Sequence, residues 1–119
     1  METMTRNPAR EIVLSCIEAL NKKDYTTARK YVNENFKFDG VLGSRDGAEA
    51  YFKDMEKMKL KYDIQKVFAN GDDVCLLYNL DLSGVNTFCC GWYQVKDGKI
   101  NYLKVVFDPR AVLKASEKK

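Results

Sequence analysis

Residues 73–108 read DVCLLYNLDL-SG-VNTFCCGWYQVK-DG-KINYLKVVFD, and this stretch decides the fold. Three long runs rich in Val, Leu, Tyr, Phe and Cys are separated by two-residue breaks, Ser83-Gly84 and Asp97-Gly98. Asp-Gly between such runs signals a tight hairpin, because both central positions of the favoured turn need positive φ. A further run over 61–69, closed by Asn70-Gly71-Asp72, extends the series upstream. The pattern predicts four strands, 61–69, 73–82, 85–96 and 99–108, in an antiparallel meander.

Alternation gives these strands two faces. On 73–82 one face carries Val74, Leu76, Tyr78, Leu80 and Leu82, and the other carries Cys75, Leu77, Asn79 and Asp81. On 99–108 Leu103, Val105 and Phe107 share one face, and Ile100, Tyr102 and Val106 the other. A sheet that is apolar on both faces buries both. Helices can cover only one, so a second sheet is expected against the other, most simply that of a second copy in a two-fold homodimer.

The first half of the chain reads as helices. Asn7 suits an N-cap and Pro8 the first helical position. Ile12, Val13, Leu14, Cys16, Ile17, Ala19 and Leu20 then supply an apolar stripe, which predicts an amphipathic helix over 8–22. Asp24 caps a shorter helix carrying Ala28, Tyr31 and Val32, and Asn33-Glu34-Asn35 reads as its breaker. Residues 36–39 alternate like a short strand, and Gly40, Gly43 and Gly47 punctuate a loop. Asp46 followed by Glu49 resembles a capping box for a third helix over 47–59, with Ala50, Tyr51, Met55 and Met58 near one face.

Helices followed by a meander imply an α+β fold, a curved antiparallel sheet wrapped around three N-terminal helices. At 119 residues one domain is expected, over 7–109. Residues 1–6 read as a disordered N-terminus and 110–119 as a flexible tail.

The chain has no histidine. That excludes Ser-His-Asp and Cys-His nucleophile systems and histidine metal sites. Any proton transfer must use Asp, Glu, Tyr, Lys or Cys. The net charge is only +3, and Lys57, Lys59 and Lys61 are flanked by Glu56 and Asp63, so a solvated helix end is expected there and no nucleic-acid partner. No run approaches the about 18 apolar residues of a membrane span, and Met1 to Asn7 has no apolar run. A cytosolic chain with no membrane partner is the expectation, with Cys16, Cys75, Cys89 and Cys90 as reduced thiols. No C-x-x-C or Cys/His cluster is present, so neither metal nor cofactor is expected.

Several strings, in order, resemble the nuclear transport factor two-like superfamily, which includes SnoaL-like and ketosteroid-isomerase-like proteins. Ile17-Glu18-Ala19-Leu20-Asn21-Lys22-Lys23-Asp24-Tyr25 is similar to the end of that family's first helix. Phe38-Asp39-Gly40, Gly43 and Gly47-Ala48-Glu49-Ala50 resemble its first strand, glycine loop and third-helix start. Ala69-Asn70-Gly71-Asp72-Asp73-Val74 and Val95-Lys96-Asp97-Gly98-Lys99-Ile100 resemble two of its hairpins. The likeness runs from about Asn7 to Pro109. It implies a cone-shaped α+β barrel with a ligand between helices and sheet, but not an activity, since this fold hosts many functions.

By that resemblance, ketosteroid isomerase would need a Tyr on the first helix, an Asp on a late strand and an Asp on the first strand. The helix position falls on Cys16 and the late-strand position on Gly91, neither of which substitutes for the acid or phenol. The first-strand position falls on Gly40, or on Asp39 with a slip of one residue. Asp39 is a candidate general base if it faces the cone, where desolvation would raise its pKa. Alternation instead points Phe36 and Phe38 inward and Asp39 to solvent.

Asp81, with Asn79, Leu77 and Cys75 on its face, either supplies polar groups to the pocket or lies on a dimer face or rim. Cys16 and Cys89 are candidate pocket residues that also read as buried hydrophobes. The resemblance assigns Met55, Leu103 and Phe107 to the pocket wall. Trp92, Tyr93 and Tyr102 fit either a planar ligand or a core or interface. The functional expectation is a domain that binds a small apolar or planar molecule. The alternatives are a SnoaL-like enzyme (isomerase, cyclase or hydratase) with Asp39 or Asp81 as proton shuttle, and a dimeric protein-interaction module.

Overall fold

The structure is a computed structural model describing residues 7–117. The elements run α1 (Pro8–Asn21), α2 (Tyr25–Arg29), β1 (Val32–Asp39), β2 (Ser44–Asp46), α3 (Ala48–Met58), β3 (Asp63–Asn70), β4 (Asp73–Leu82), β5 (Val85–Lys96), β6 (Lys99–Phe107) and α4 (Arg110–Glu117). All strands join one sheet in the order β2-β1-β6-β5-β4-β3. The fold is α+β, with the sheet curled around the N-terminal helices. The expected disordered segment 1–6 lies outside the described residues.

The meander from β3 to β6 forms as its turn signals require. Asp97 and Gly98 both have positive φ, 53° and 80°, as do Ser83 and Gly84. α1 starts where Asn7 accepts a hydrogen bond from the Arg10 N–H at 3.0 Å. Its inward stripe of Val13, Ile17 and Leu20 is buried to 3% exposure or less, about 1.5–3 kcal/mol of apolar transfer for each side chain. The helix ends at Asn21 rather than 22. The Asn21 side chain accepts from the Tyr62 N–H at 2.6 Å and donates to the Tyr62 carbonyl at 3.0 Å, which clamps the start of the sheet half onto the helix.

Three local readings need correction. Asn33-Glu34-Asn35 does not break the chain; it is part of β1, which pairs in parallel with β6. Asn33 accepts from the Asn35 N–H at 2.7 Å, and the register shifts between Val32 and Lys37, so the polar triplet forms a bulge inside a strand. Asp46 makes no capping box. It lies in β2 opposite Lys37, and Gly47 takes the N-cap position with φ 92° and no side-chain cap.

The third correction is at the C-terminus, where 110–117 is helical rather than a flexible tail. Asp108 accepts from the Arg110 N–H at 3.0 Å, and Val112 is 5% exposed. Asp108 lies one residue ahead of the cap, since α4 starts at Arg110 and the Leu113 N–H donates to the Pro109 carbonyl at 2.8 Å, and the buried valine holds the helix to the domain.

One strand face is also corrected. Gln94 pairs with Tyr102 but Val95 pairs with Ile100, so Asn101 is an extra residue. This bulge turns Ile100 to the inner face, away from Tyr102 and Val106, and leaves it 1% exposed.

Candidate functional site

Between the helices and the inner face of the sheet lies a cavity of about 450 Å³. Its walls are mainly apolar: Met55 and Met58 from α3, Leu80 from β4, Cys89 from β5, and Leu103 and Val105 from β6. Phe107 and Val112 close one end, and Val41 and Leu42 of the loop after β1 border the mouth. That loop is held by a bond from the Gly40 N–H to the Gly43 carbonyl at 2.9 Å. A Cβ on Gly40 would lie 2.8 Å from the Phe38 ring, so glycine lets the loop turn tightly over that ring.

The buried polar groups of the wall are phenols. Tyr51, Tyr62 and Tyr78 all line the cavity. Tyr62 and Tyr78 pack with ring centroids 5.1 Å apart, and Tyr51 stacks against Phe36 and Phe38 at 4.8 and 5.3 Å. Burial, first of all, raises the pKa of all three hydroxyls, so each stays protonated, and the hydroxyls of Tyr51 and Tyr62 are hydrogen-bonded to each other.

A fourth phenol, Tyr93, is buried beside them, and its hydroxyl has no hydrogen-bond partner among the described residues. A Cβ on Gly91 would meet the Tyr78 hydroxyl at 3.1 Å and the Tyr93 ring at 3.2 Å. Glycine at 91 is therefore what lets both rings lie across β5.

The expected site residues divide. Met55, Cys89, Leu103 and Phe107 line the cavity, and Asp81 reaches its rim. There the Asp81 carboxylate accepts from the Gly84 N–H at 2.8 Å and holds the β4–β5 turn.

Cys16, Asp39, Leu77 and Asn79 do not line it. Cys16 is in the core, where its thiol donates to the Ala28 carbonyl at 3.6 Å and burial pushes its pKa up to about 12. Leu77 and Asn79 face outward, because Leu76, Tyr78 and Leu80 take the inner face of β4. Asp39 accepts from the Tyr102 hydroxyl at 2.8 Å and from Ser44 at 2.9 Å. These bonds lower its pKa, the opposite of the desolvated base considered from the sequence. Cys89 has its pKa pushed up to about 11 by burial, which makes it a neutral wall residue rather than a nucleophile.

The sequence reading assigned none of the three phenols to the cavity, nor Asp54. Asp54 lines the mouth and accepts from the Arg45 side chain at 2.7 Å. Its spacing was informative: it follows Tyr51 by three and precedes Met58 by four, on the same helical face. Tyr62, just ahead of β3, had no periodic signal, since the Asn21 clamp sets its place.

The outer face has its own pattern. Phe68, Cys75 and Trp92 lie side by side across β3, β4 and β5, and Leu77, Cys90 and Val106 make the next row. Phe68 and Phe88 are 58% and 57% exposed, and Val106 is 48% exposed. Lys66, Lys104, Asp63, Asp73 and Asp39 border this apolar centre by strand register.

A curled sheet over helices, enclosing an apolar cavity set with phenols, is an α+β cone. Within that class the chain belongs to the SnoaL-like domain family, whose pattern matches residues 13–103. No curated protein matches the sequence. Among solved structures, it is similar to an NTF2-like protein of unknown function from Cytophaga hutchinsonii, with 43% identity and a TM-score of 0.87 over 95% of this chain and 99% of that one. A Mycobacterium tuberculosis LEH-like epoxide hydrolase shares the fold at 20% identity, with a TM-score of 0.79 over 93% and 90% of the two chains. TerC, crystallised with polyporic acid, does so at 14% identity, with a TM-score of 0.79 over 93% and 99%.

Proposed function

We propose that this protein binds a neutral, largely apolar small molecule that carries a hydrogen-bond acceptor such as a ketone. The carrying observation is the cavity itself: about 450 Å³, inside the usual range for organic ligands, with three protonated phenols on its wall. No Lys or Arg is among the lining residues, while Asp54 and Asp81 stand at the edge, so an anionic ligand would meet no counter-charge. The fold accommodates organic ligands elsewhere, as TerC with polyporic acid illustrates. An enzyme using Asp39 or Asp81 as proton shuttle is less well supported. Asp39 is bonded to Tyr102 and Ser44 away from the cavity, and Asp81 is bonded to the turn.

The test is calorimetric titration with three probes of one shape: 2-acetonaphthone, 2-ethylnaphthalene and 2-naphthoate. The ketone should bind best, with the hydrocarbon about fivefold weaker for want of one hydrogen bond and the carboxylate weakest. Tyr78→Phe should weaken the ketone and leave the hydrocarbon unchanged. Naphthoate binding as tightly as the ketone would refute the reading.

A second reading concerns the outer face, where a second copy is the proposed partner. The observation in its favour is the exposed apolar centre bordered by charges of both signs, the anatomy of a self-complementary interface. Phe88→Glu should yield a monomer by sedimentation. An unchanged sedimentation coefficient at all concentrations would sink the idea.

A further inference from the structure

A second concavity, a groove of about 610 Å³, lies on the outside of the sheet at the far end of β5 and β6. Phe88, Cys90, Val106 and Ala111 are among its lining residues. The groove and the inner cavity lie on opposite sides of a shared partition. Phe107 borders both spaces. On β5, Cys89 faces the cavity while its neighbour Cys90 faces the groove, and on α4 Val112 faces the cavity while Ala111 faces the groove. Cys89 is the register partner of Phe107, and Cys90 that of Val106, so the partition is continuous across two hydrogen-bonded strands.

We infer that ligand binding in the cavity and pairing of two copies through the outer face are energetically linked, through the Phe107 and α4 partition. The inference rests on both readings above. The occupant of the groove is taken to be a second copy for two reasons. The groove is continuous with the apolar outer face, sharing Phe88, Cys90 and Val106 with it. The border of that face carries lysines and aspartates together, which fits its own two-fold image better than a partner of uniform charge. A partition that is packed from both sides has less freedom than one packed from either side alone. Occupation of one space therefore lowers the ordering cost of occupying the other, and the coupling is reciprocal.

The experiment is sedimentation equilibrium of the full chain with and without saturating 2-acetonaphthone, paired with calorimetric titration of the probe below and above the dimer dissociation constant. The ketone should tighten the dimer about fivefold or more, and, because a dimer holds two ligands, each of its sites should bind the ketone more tightly by the square root of that factor. Phe107→Leu, which keeps an apolar wall, should reduce the factor, and Phe107→Ala should remove it. Phe88→Glu should abolish pairing and leave a probe affinity that no longer depends on protein concentration.

A dimer whose dissociation constant changes less than twofold with bound ketone overturns the linkage, as does one that weakens. A monomer at every concentration with normal ketone binding overturns the interface, and the linkage with it. A dimer that binds none of the three probes overturns the cavity reading, and the linkage falls for that separate reason.

Discussion

The Tyr102 hydroxyl donates to Asp39 Oδ2 at 2.8 Å, across the seam where β6 meets β1. This bond, with Ser44 adding a second donor, keeps the carboxylate ionised below the ordinary aspartate range. Because the folded pKa is depressed, the stability it contributes is present above the unfolded pKa and is lost as pH falls through the folded value. Tyr102→Phe should raise the Asp39 pKa toward that of an unperturbed aspartate, measured by carboxyl NMR titration. The loss of stability in this variant should be largest at neutral pH and shrink in acid. An Asp39 pKa unmoved by the substitution would mean that the bond is not made in solution.

Gly91→Ala should destabilise the domain by about 1 kcal/mol, the low end for overpacking. The added methyl would sit 3.1 Å from the Tyr78 hydroxyl and 3.2 Å from the Tyr78 and Tyr93 rings, so both rings must give way. The urea midpoint should fall with an unchanged m-value. A more stable alanine variant would mean that the rings are loosely held.

Thiol accessibility should split the cysteines in half. Cys75 and Cys90 are partly exposed on the outer face, whereas Cys16 and Cys89 are buried. At pH 8, under monomeric conditions, an aromatic disulfide reagent should consume two thiols per native chain and four after denaturation. Rapid reaction of a third would show that the cavity wall opens.

Val112→Ala should lower stability by about 1–2 kcal/mol, as for a buried aliphatic truncation. Leu113→Ala, at a 47% exposed neighbour, should change it by less than about 0.5 kcal/mol. Equal, negligible effects at both positions would mean that α4 is not packed on the domain in solution. Thermal denaturation of the two variants decides between them.

The meander was legible because its turns are written in residues that demand one backbone conformation, as at Asp97-Gly98. What escaped the sequence depended on partners distant in the chain. Nothing near Asn33 says that a strand 65 or so residues later will accept β1 alongside it. The inner and outer faces of β4 were legible as two sets, but not which set faces the helices. The nearly complete burial of Leu76 and Tyr78 decides that, and it moved Leu77 and Asn79 out of the cavity. Asp39 meets the first-strand acid of the resemblance only with a slip of one residue, and its surroundings are set by Tyr102, which is adjacent only after folding. Asp108-Pro109 signals a helix nearby, but α4 starts one residue later than the rule applied to Asn7-Pro8 would place it.

The parallel seam between β1 and β6 also orders events in time. Residues 32–39 leave the ribosome long before residues 100–104 are made, and until then β1 has only the short β2 as a strand neighbour. The C-terminal meander can fold locally, but closing the cone must wait for the last strand to meet one of the first. A chain joined so late should fold more slowly than its hairpins do alone. Circular permutants that bring β1 and β6 close in sequence should shorten that delay without altering the finished sheet.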